Sequence, residues 1–358
     1  MYKVPNRPAL IGLGLMALVG ASACSPPADQ AETANTVKEA MGKVSYKCNA
    51  PDNATKTKVT VTALPIVSNG AIYAGIDKGF FEKHGLDVSI SNVSTVPAAI
   101  AAVQGGSTDF AFTGNIAIFQ AADQGIPLTI ASSFAGIAPK YWEKMQAGVP
   151  GFTREVTALL VAPNSAIKTP GDLTGKTVAI ADSKGQAELM TRTVIKNHGG
   201  DPDSVKFTVM NFSDAINALM AGKVDAAYSA EPAMTTAEQA GYRIISWPTV
   251  ETLQEGPTSS IVASSQFVID HPETTARFNC AMREVNAFAN GNPDTIRAVT
   301  AREQKVDPAT LAKATVPYFY EELDVNGIKR YHDLAKDFGF ITSDLDVESI
   351  AIPQALPQ

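Results

Sequence analysis

The sequence predicts an α/β protein: two doubly wound lobes around a cleft, followed by C-terminal helices. Three observations carry that expectation. Strand-like and helix-like runs alternate along the folded part, the alternation is written twice, and the two copies agree residue by residue. With residues 97–114 laid over 213–230, the pairs Ala99/Ala215, Ile100/Ile216, Ala102/Ala218, Gly106/Gly222, Asp109/Asp225 and Ala111/Ala227 are identical, and His84-Gly85 has a counterpart in His198-Gly199. Short strands separated by helical stretches form parallel sheets with right-handed crossovers.

The elements follow in order. Residues 1–23 are expected to be an export signal, because Lys3 and Arg7 precede an apolar run over 9–20 and then Ala21, Ser22 and Ala23. The run is shorter than the roughly 20 helical residues that span a bilayer. Cys24 comes next, as in a bacterial lipobox whose cysteine is lipidated, although Ala21 stands where such motifs usually carry leucine. Residues 24–57, rich in Ala, Thr, Asn, Lys and Pro, read as the lipid anchor and a tether with a short helix near 32–42.

In the first copy, 59–64 is a strand and 70–83 a helix with apolar Ile72, Tyr73, Ile76, Phe80 and Phe81. Then come a strand at 86–90, a helix at 97–104 with Pro97 in its first turn, and a strand at 109–113. The second copy repeats this order at 177–181, 186–197, 205–210, 215–220 and 225–229. The runs 156–162 and 259–268 are read as two crossings between lobes, which make a hinge, and 137–154 (with Tyr141, Trp142 and Phe152) as an insertion over the cleft, either a lid or a surface excursion. Helical segments over 272–339 close the chain. This assigns 58–158 plus 256–358 to lobe 1 and 159–255 to lobe 2.

Composition excludes several classes. With 45% hydrophobic and 18% charged residues, the chain is neither wholly disordered nor polytopic in a membrane. A net charge of −7 disfavours a nucleic-acid partner. Three cysteines and four histidines, without CxxC or HExxH, suggest no metal site. There is no GxSxG elbow and no GxGxxG after a strand. The run from Gly171 through Gly175, Lys176 and Thr177 resembles a P-loop, but it has three residues between the glycines where a P-loop has four, and it leads into a strand. No catalytic residue and no cofactor is therefore assigned. His84 and His198 sit at expected helix ends, where a cation favours the dipole, and His271 and His332 read as surface residues.

What the sequence does supply is polar residues at strand ends, where open α/β sheets bind ligands and the next helix offers free N–H groups. The first lobe brings Asn69, Gly70, Ser94, Thr95, Thr113, Gly114 and Asn115; the second brings Ser183, Gln186, Ser229 and Glu231, the last reading more as a cap than as a ligand. Tyr73 would wall the cleft and Phe134 would stack on an apolar or aromatic ligand. Helix ends and hydroxyls suit a small anion such as a carboxylate or sulfonate. With Cys24 lipidated, Cys48 and Cys280 are left as an even pair in an oxidising compartment and are expected to be bridged.

Residues 69–81 (NGAIYAGIDKGFF), 85–88 (GLDV), 102–111 (AVQGGSTDFA), 113–115 (TGN) and 125–128 (GIPL), with 172–180 (DLTGKTVAI) and 228–232 (YSAEP), carry a family resemblance. Over roughly residues 58–300 the chain resembles the ABC-transporter substrate-binding proteins that serve nitrate, alkanesulfonates, taurine and thiamine-precursor pyrimidines. The resemblance implies a type II periplasmic-binding-protein fold that closes on a small solute and docks on a membrane permease. The expectation is an exported monomer in the periplasm or on the outer face of the cell membrane, held there by a lipid on Cys24. Two alternatives stay open: an exported enzyme on the same fold, akin to a fungal pyrimidine-forming enzyme whose cysteine-rich motif is missing here, and the binding lobe of a sensor.

Overall fold

Lobe 1 begins before its first strand. The computed structural model describes residues 30–48 and 56–353, so the expected export signal and Cys24 lie outside the described residues. Helix α1, Gln30–Gly42, places Ala34, Val37 and Met41 on one face, and all three are buried. Val44 and Tyr46 follow them into the core. Residues 30–48, expected as part of a tether, are therefore docked chain. The apolar stripe recurs at helical spacing within a polar composition that hides it.

Strand β1, Thr57–Ala63, alternates so that Val59, Val61 and Ala63 face the core. A 3₁₀ turn over Val67–Asn69 runs into α2, Gly70–Asp77. Gly79, at φ 74°, then breaks the helix expected over 70–83, which restarts as α3, Phe80–Lys83. β2, Leu86–Asn92, leads to α4, Val96–Gln104, where Thr95 Oγ1 accepts from Ala98 N and Pro97 occupies the first turn. β3 (Phe110–Gly114), α5 (Asn115–Asp123), β4 (Leu128–Ser133), β5 (Ala135–Ile137) and α6 (Tyr141–Gln146) complete this half.

The second half holds β6 (Thr157–Val161), β7 (Thr177–Ile180), α7 (Gln186–Asn197), β8 (Lys206–Val209), α8 (Phe212–Met220) and β9 (Ala226–Ala230). It ends with α9 (Ala233–Gln239), β10 (Arg243–Ser246) and α10 (Pro248–Leu253). The chain returns through β11 (Gly256–Pro257), β12 (Ser259–Ser264), α11 (Ser265–Asp270), α12 (Pro272–Gly291) and α13 (Pro293–Gln304). Last come α14 (Pro308–Leu311), β13 (Tyr318–Phe319) and α15 (Val325–Asp337).

The two sheets share one topology. The first runs β2-β1-β3-β12-β4 and the second β8-β7-β9-β6-β10, with β12 and β6 as the antiparallel members. The repeated residues do the same work in each. Asp109 Oδ2 accepts from Thr60 N at 2.7 Å, and Asp225 Oδ2 from Thr177 N at 2.8 Å. Gly106 and Gly222 both turn through positive φ after their helices, at 68° and 66°.

The crossings differ from the expectation. Residues 156–162 and 259–268 are not connectors: they form β6 and β12, with α11 following β12, because each completes a sheet's hydrogen bonding. The chain crosses between lobes just before them. β5 leaves and β11 returns, paired antiparallel, and β13 joins β5 on the other side. At this hinge a Cβ on Gly136 would stand 2.3 Å from the Gly256 carbonyl oxygen, and Gly256 itself has φ 117°.

Cys48 and Cys280 form a disulfide, Cα atoms 5.3 Å apart, that ties the N-terminal segment to α12. Beside it the Tyr46 hydroxyl meets His84 Nδ1 at 2.6 Å, and His84 Nε2 lies 3.0 Å from Glu284. His84 stands at the end of α3 as expected, but it is a buried link, and burial holds its pKa below the ordinary value, against the charged form. His332, expected on the surface, is also buried, edge-on to Phe119 at 5.2 Å.

Candidate functional site

The carboxyl ends of β3 and β7 meet between the lobes. Gln120 Nε2 on α5 donates to the Lys184 carbonyl across the interface at 2.5 Å. Gln186, the first residue of α7, places its Oε1 3.8 Å from where a Cβ on Gly114 would stand. Gly114 opens α5, and no side chain caps that helix. Thr113 is fully buried beside it, its hydroxyl 3.3 Å from the Gly114 carbonyl. Ser229, near the end of β9, is also fully buried, and its hydroxyl has no partner among the described residues.

Two helix N-termini expected to hold an anion are already filled by carboxylates of the chain. Asp182 follows β7 and accepts from Ala187 N at 3.0 Å, with further backbone donation from Gln186 and Glu188. Burial outweighs those bonds and pushes its carboxyl up to about 6. Glu231 caps α9 through Thr235 N at 3.2 Å and the Thr235 hydroxyl at 2.9 Å. It also takes Thr315 N at 3.0 Å and lies 3.4 Å from the Arg154 guanidinium, which pairs with Glu238 as well. Glu231 is therefore a cap and a fastening at the hinge.

The remaining sequence-based candidates divide by what packs on them. Asn69 is buried and donates to the Leu64 carbonyl at 2.8 Å, leaving Oδ1 without a partner among the described residues. Gly70 faces α13 instead of the cleft, since a Cβ there would lie 2.2 Å from Thr300 Oγ1. Tyr73 donates to Asn92 Oδ1 at 2.8 Å on the flank of lobe 1. Ser94 and Thr95 are exposed, Thr95 serving as the α4 cap, and Ser183 is exposed in the turn before α7. Asn115 is spent internally: it donates to the Pro257 carbonyl and accepts from the Ser260 hydroxyl, both at 2.8 Å. Phe134, expected to stack on a ligand, is fully buried core between Phe112 and Phe319, with ring centroids at 6.0 and 5.4 Å.

Several residues at the interface escaped the sequence reading. Glu155, just ahead of β6, is buried and accepts from Thr157 N at 3.0 Å and from the Thr157 hydroxyl at 2.6 Å. Burial pushes its carboxyl up to about 7. From Thr157 the chain of contacts passes to Thr249 at 2.7 Å and on to the Tyr228 hydroxyl at 3.1 Å, linking β6, α10 and β9 within lobe 2. The expected insertion folds on itself: Tyr141 stacks edge-on with Phe152 and donates to the Arg154 carbonyl. With Arg154, Glu155 and Thr315 it borders a small open pocket at the hinge. Asp182 is legible as a cap one residue before Ser183; Tyr228 opens the 228–232 motif without a sign of its burial, and Glu155 has no local signal. Among the described residues no three metal-ligating side chains cluster, and no helix is long and apolar enough to cross a membrane.

A sequence model of the family described as NMT1/THI5 like matches residues 68–140 and 149–296, more than half of the chain. The chain belongs to that family. Among its relatives is a protein of Brucella abortus (strain 2308) that bears the name of a binding protein; it is 25% identical over 283 residues, covering 75% of this chain and 82% of the relative. The fold is that of the periplasmic aliphatic sulphonate binding protein SsuA of Escherichia coli, at TM-score 0.66, 17% identity, and 84% and 94% coverage. The periplasmic nitrate-binding protein NrtA of Synechocystis PCC 6803 shares it at TM-score 0.65 and 13% identity, over 84% of this chain and 86% of that one. So does the desulfurization enzyme DSZB, at TM-score 0.59 and 13% identity, over 84% and 97%.

Proposed function

We propose that this NMT1/THI5-like chain is the solute-binding component of an ABC importer, without catalysis of its own. It captures a small organic solute between its lobes and delivers it to a membrane permease from an exported position, anchored by a lipid on Cys24. The observation that carries the reading is the paired sheets, whose strand ends and helix starts oppose one another across a double crossing. Two crossings allow the lobes to rotate, and a ligand touching both favours the closed state by its differential affinity. The sulfonate- and nitrate-binding proteins with this fold support an anionic solute. Its negative group is assigned to lobe 1, at the start of α5, where no side chain caps the helix. Asp182 and Glu231 make the facing ends of lobe 2 unsuitable for it.

The test is a thermal-shift panel of acid and amide pairs: methanesulfonate with methanesulfonamide, benzoate with benzamide, and nitrate alone. A solute at about 100 times its dissociation constant stabilises by roughly 2.7 kcal/mol. Shifts from the acids, together with a smaller radius of gyration by solution scattering, are expected. Shifts from the amides alone would refute the anionic assignment, and conversion of a bound compound to product would refute the non-catalytic one.

A further inference from the structure

We propose that Tyr331, on the C-terminal helix α15, contacts the solute and donates a hydrogen bond to one of its acceptor atoms. The proposal rests on the importer reading above. The helix lies beyond residue 296, where the family match stops. It is fastened to lobe 1: Asp324 N donates to Ser133 Oγ at 3.2 Å, and after the helix Thr342 N and Ser343 N donate to Asp123 at 2.6 and 3.1 Å. Its inner stripe of Ile328, Tyr331 and Ala335 is fully buried. That stripe shares one apolar cluster with Phe119 of lobe 1 and with Leu189 and Tyr228 of lobe 2. Lobe 1 thus carries Tyr331 across the interface.

The phenol ring stands edge-on to Phe119, centroids 6.4 Å apart. Its hydroxyl is buried and has no hydrogen-bond partner among the described residues. The charge that bears on it is that of Asp182, which follows β7 in lobe 2. A buried hydroxyl without a partner carries a desolvation penalty, and Phe would fill the same space without it. Asp182 is already engaged by backbone N–H groups of α7. The Tyr331 proton therefore remains to be given to a molecule enclosed between the lobes, and burial keeps the phenol in its donating form.

The experiment compares the full chain with Tyr331→Phe, first without additions and then with the acid and amide panel, by thermal unfolding and calorimetry. Without solute, the variant should unfold at the wild-type temperature or slightly above it. With a panel compound that binds wild type, its affinity should fall about tenfold to 100-fold, as expected for one hydrogen bond to a charged or strongly accepting group. A clear drop in unfolding temperature without solute would show that the hydroxyl has a protein partner and would overturn the proposal. Equal affinity of both proteins for the same compound would overturn it while leaving the importer reading in place. If no panel compound binds wild type, the anionic importer reading fails and the Tyr331 assignment fails with it.

Discussion

Replacing Glu155 by Gln should remove much of the pH dependence of stability above pH 4.5. Glu155 is 6% exposed, and burial raises its carboxyl from 4.5 to about 7, with the charge of Glu231 acting in the same direction. Between those values the folded chain holds a proton that the unfolded chain has released. The stability tied to the protonated form is thus fully present below 4.5 and is lost as pH rises through about 7. About two and a half decades in proton affinity, at about 1.4 kcal/mol each, amount to roughly 3–3.5 kcal/mol. Asp182 acts with the same sign over a lower window, from 3.8 to about 6. Gln keeps an acceptor for the Thr157 donors but does not titrate. Urea unfolding at several pH values from about 4.5 to about 8 should show the wild type losing roughly 3 kcal/mol more than Glu155→Gln across the range. Parallel curves for the two proteins would refute the placement of a protonated Glu155 at the hinge.

Gly136→Ala should destabilise the chain by about 1–3 kcal/mol, because its Cβ would press on the Gly256 carbonyl and the Pro257 Cα, which are backbone; thermal unfolding and solution scattering check stability and lobe closure together. Cys48→Ser should cost about 2–5 kcal/mol, and thiol titration of the unreduced, denatured wild type should find neither Cys48 nor Cys280 free. Phe134→Ala should cost about 3–5 kcal/mol as a core cavity while leaving solute affinity of the folded fraction unchanged, read by calorimetry. Asn115→Ala should cost roughly 1–3 kcal/mol by stripping the Pro257 carbonyl and Ser260 hydroxyl of their partner, measured by urea unfolding.

By itself the sequence determined the repeated architecture. Strand alternation, helix caps and left-turning glycines are local features, so Thr95, Gly106 and Gly222 could be read without knowing what lies opposite. The Asp109/Asp225 identity was visible in the repeat, whereas its role as a strand anchor came from the bonds to Thr60 N and Thr177 N. The cysteine pair followed from parity and compartment. The tertiary structure alone decided which polar residues face the interface, because their partners come from distant segments. Asn115 is taken by Pro257 and Ser260, Gly70 by Thr300 and Phe134 by Phe319. Conversely, Glu155 reaches Thr249 through Thr157, and Tyr331 arrives from a helix almost at the chain's end. Segment 30–48 shows the same division, since its stripe of Val37 and Met41 becomes core only where α11 and α12 offer a surface to cover. A side chain's periodicity is set by its neighbours in sequence, whereas its burial and hydrogen-bond partners are set by whatever the fold brings against it.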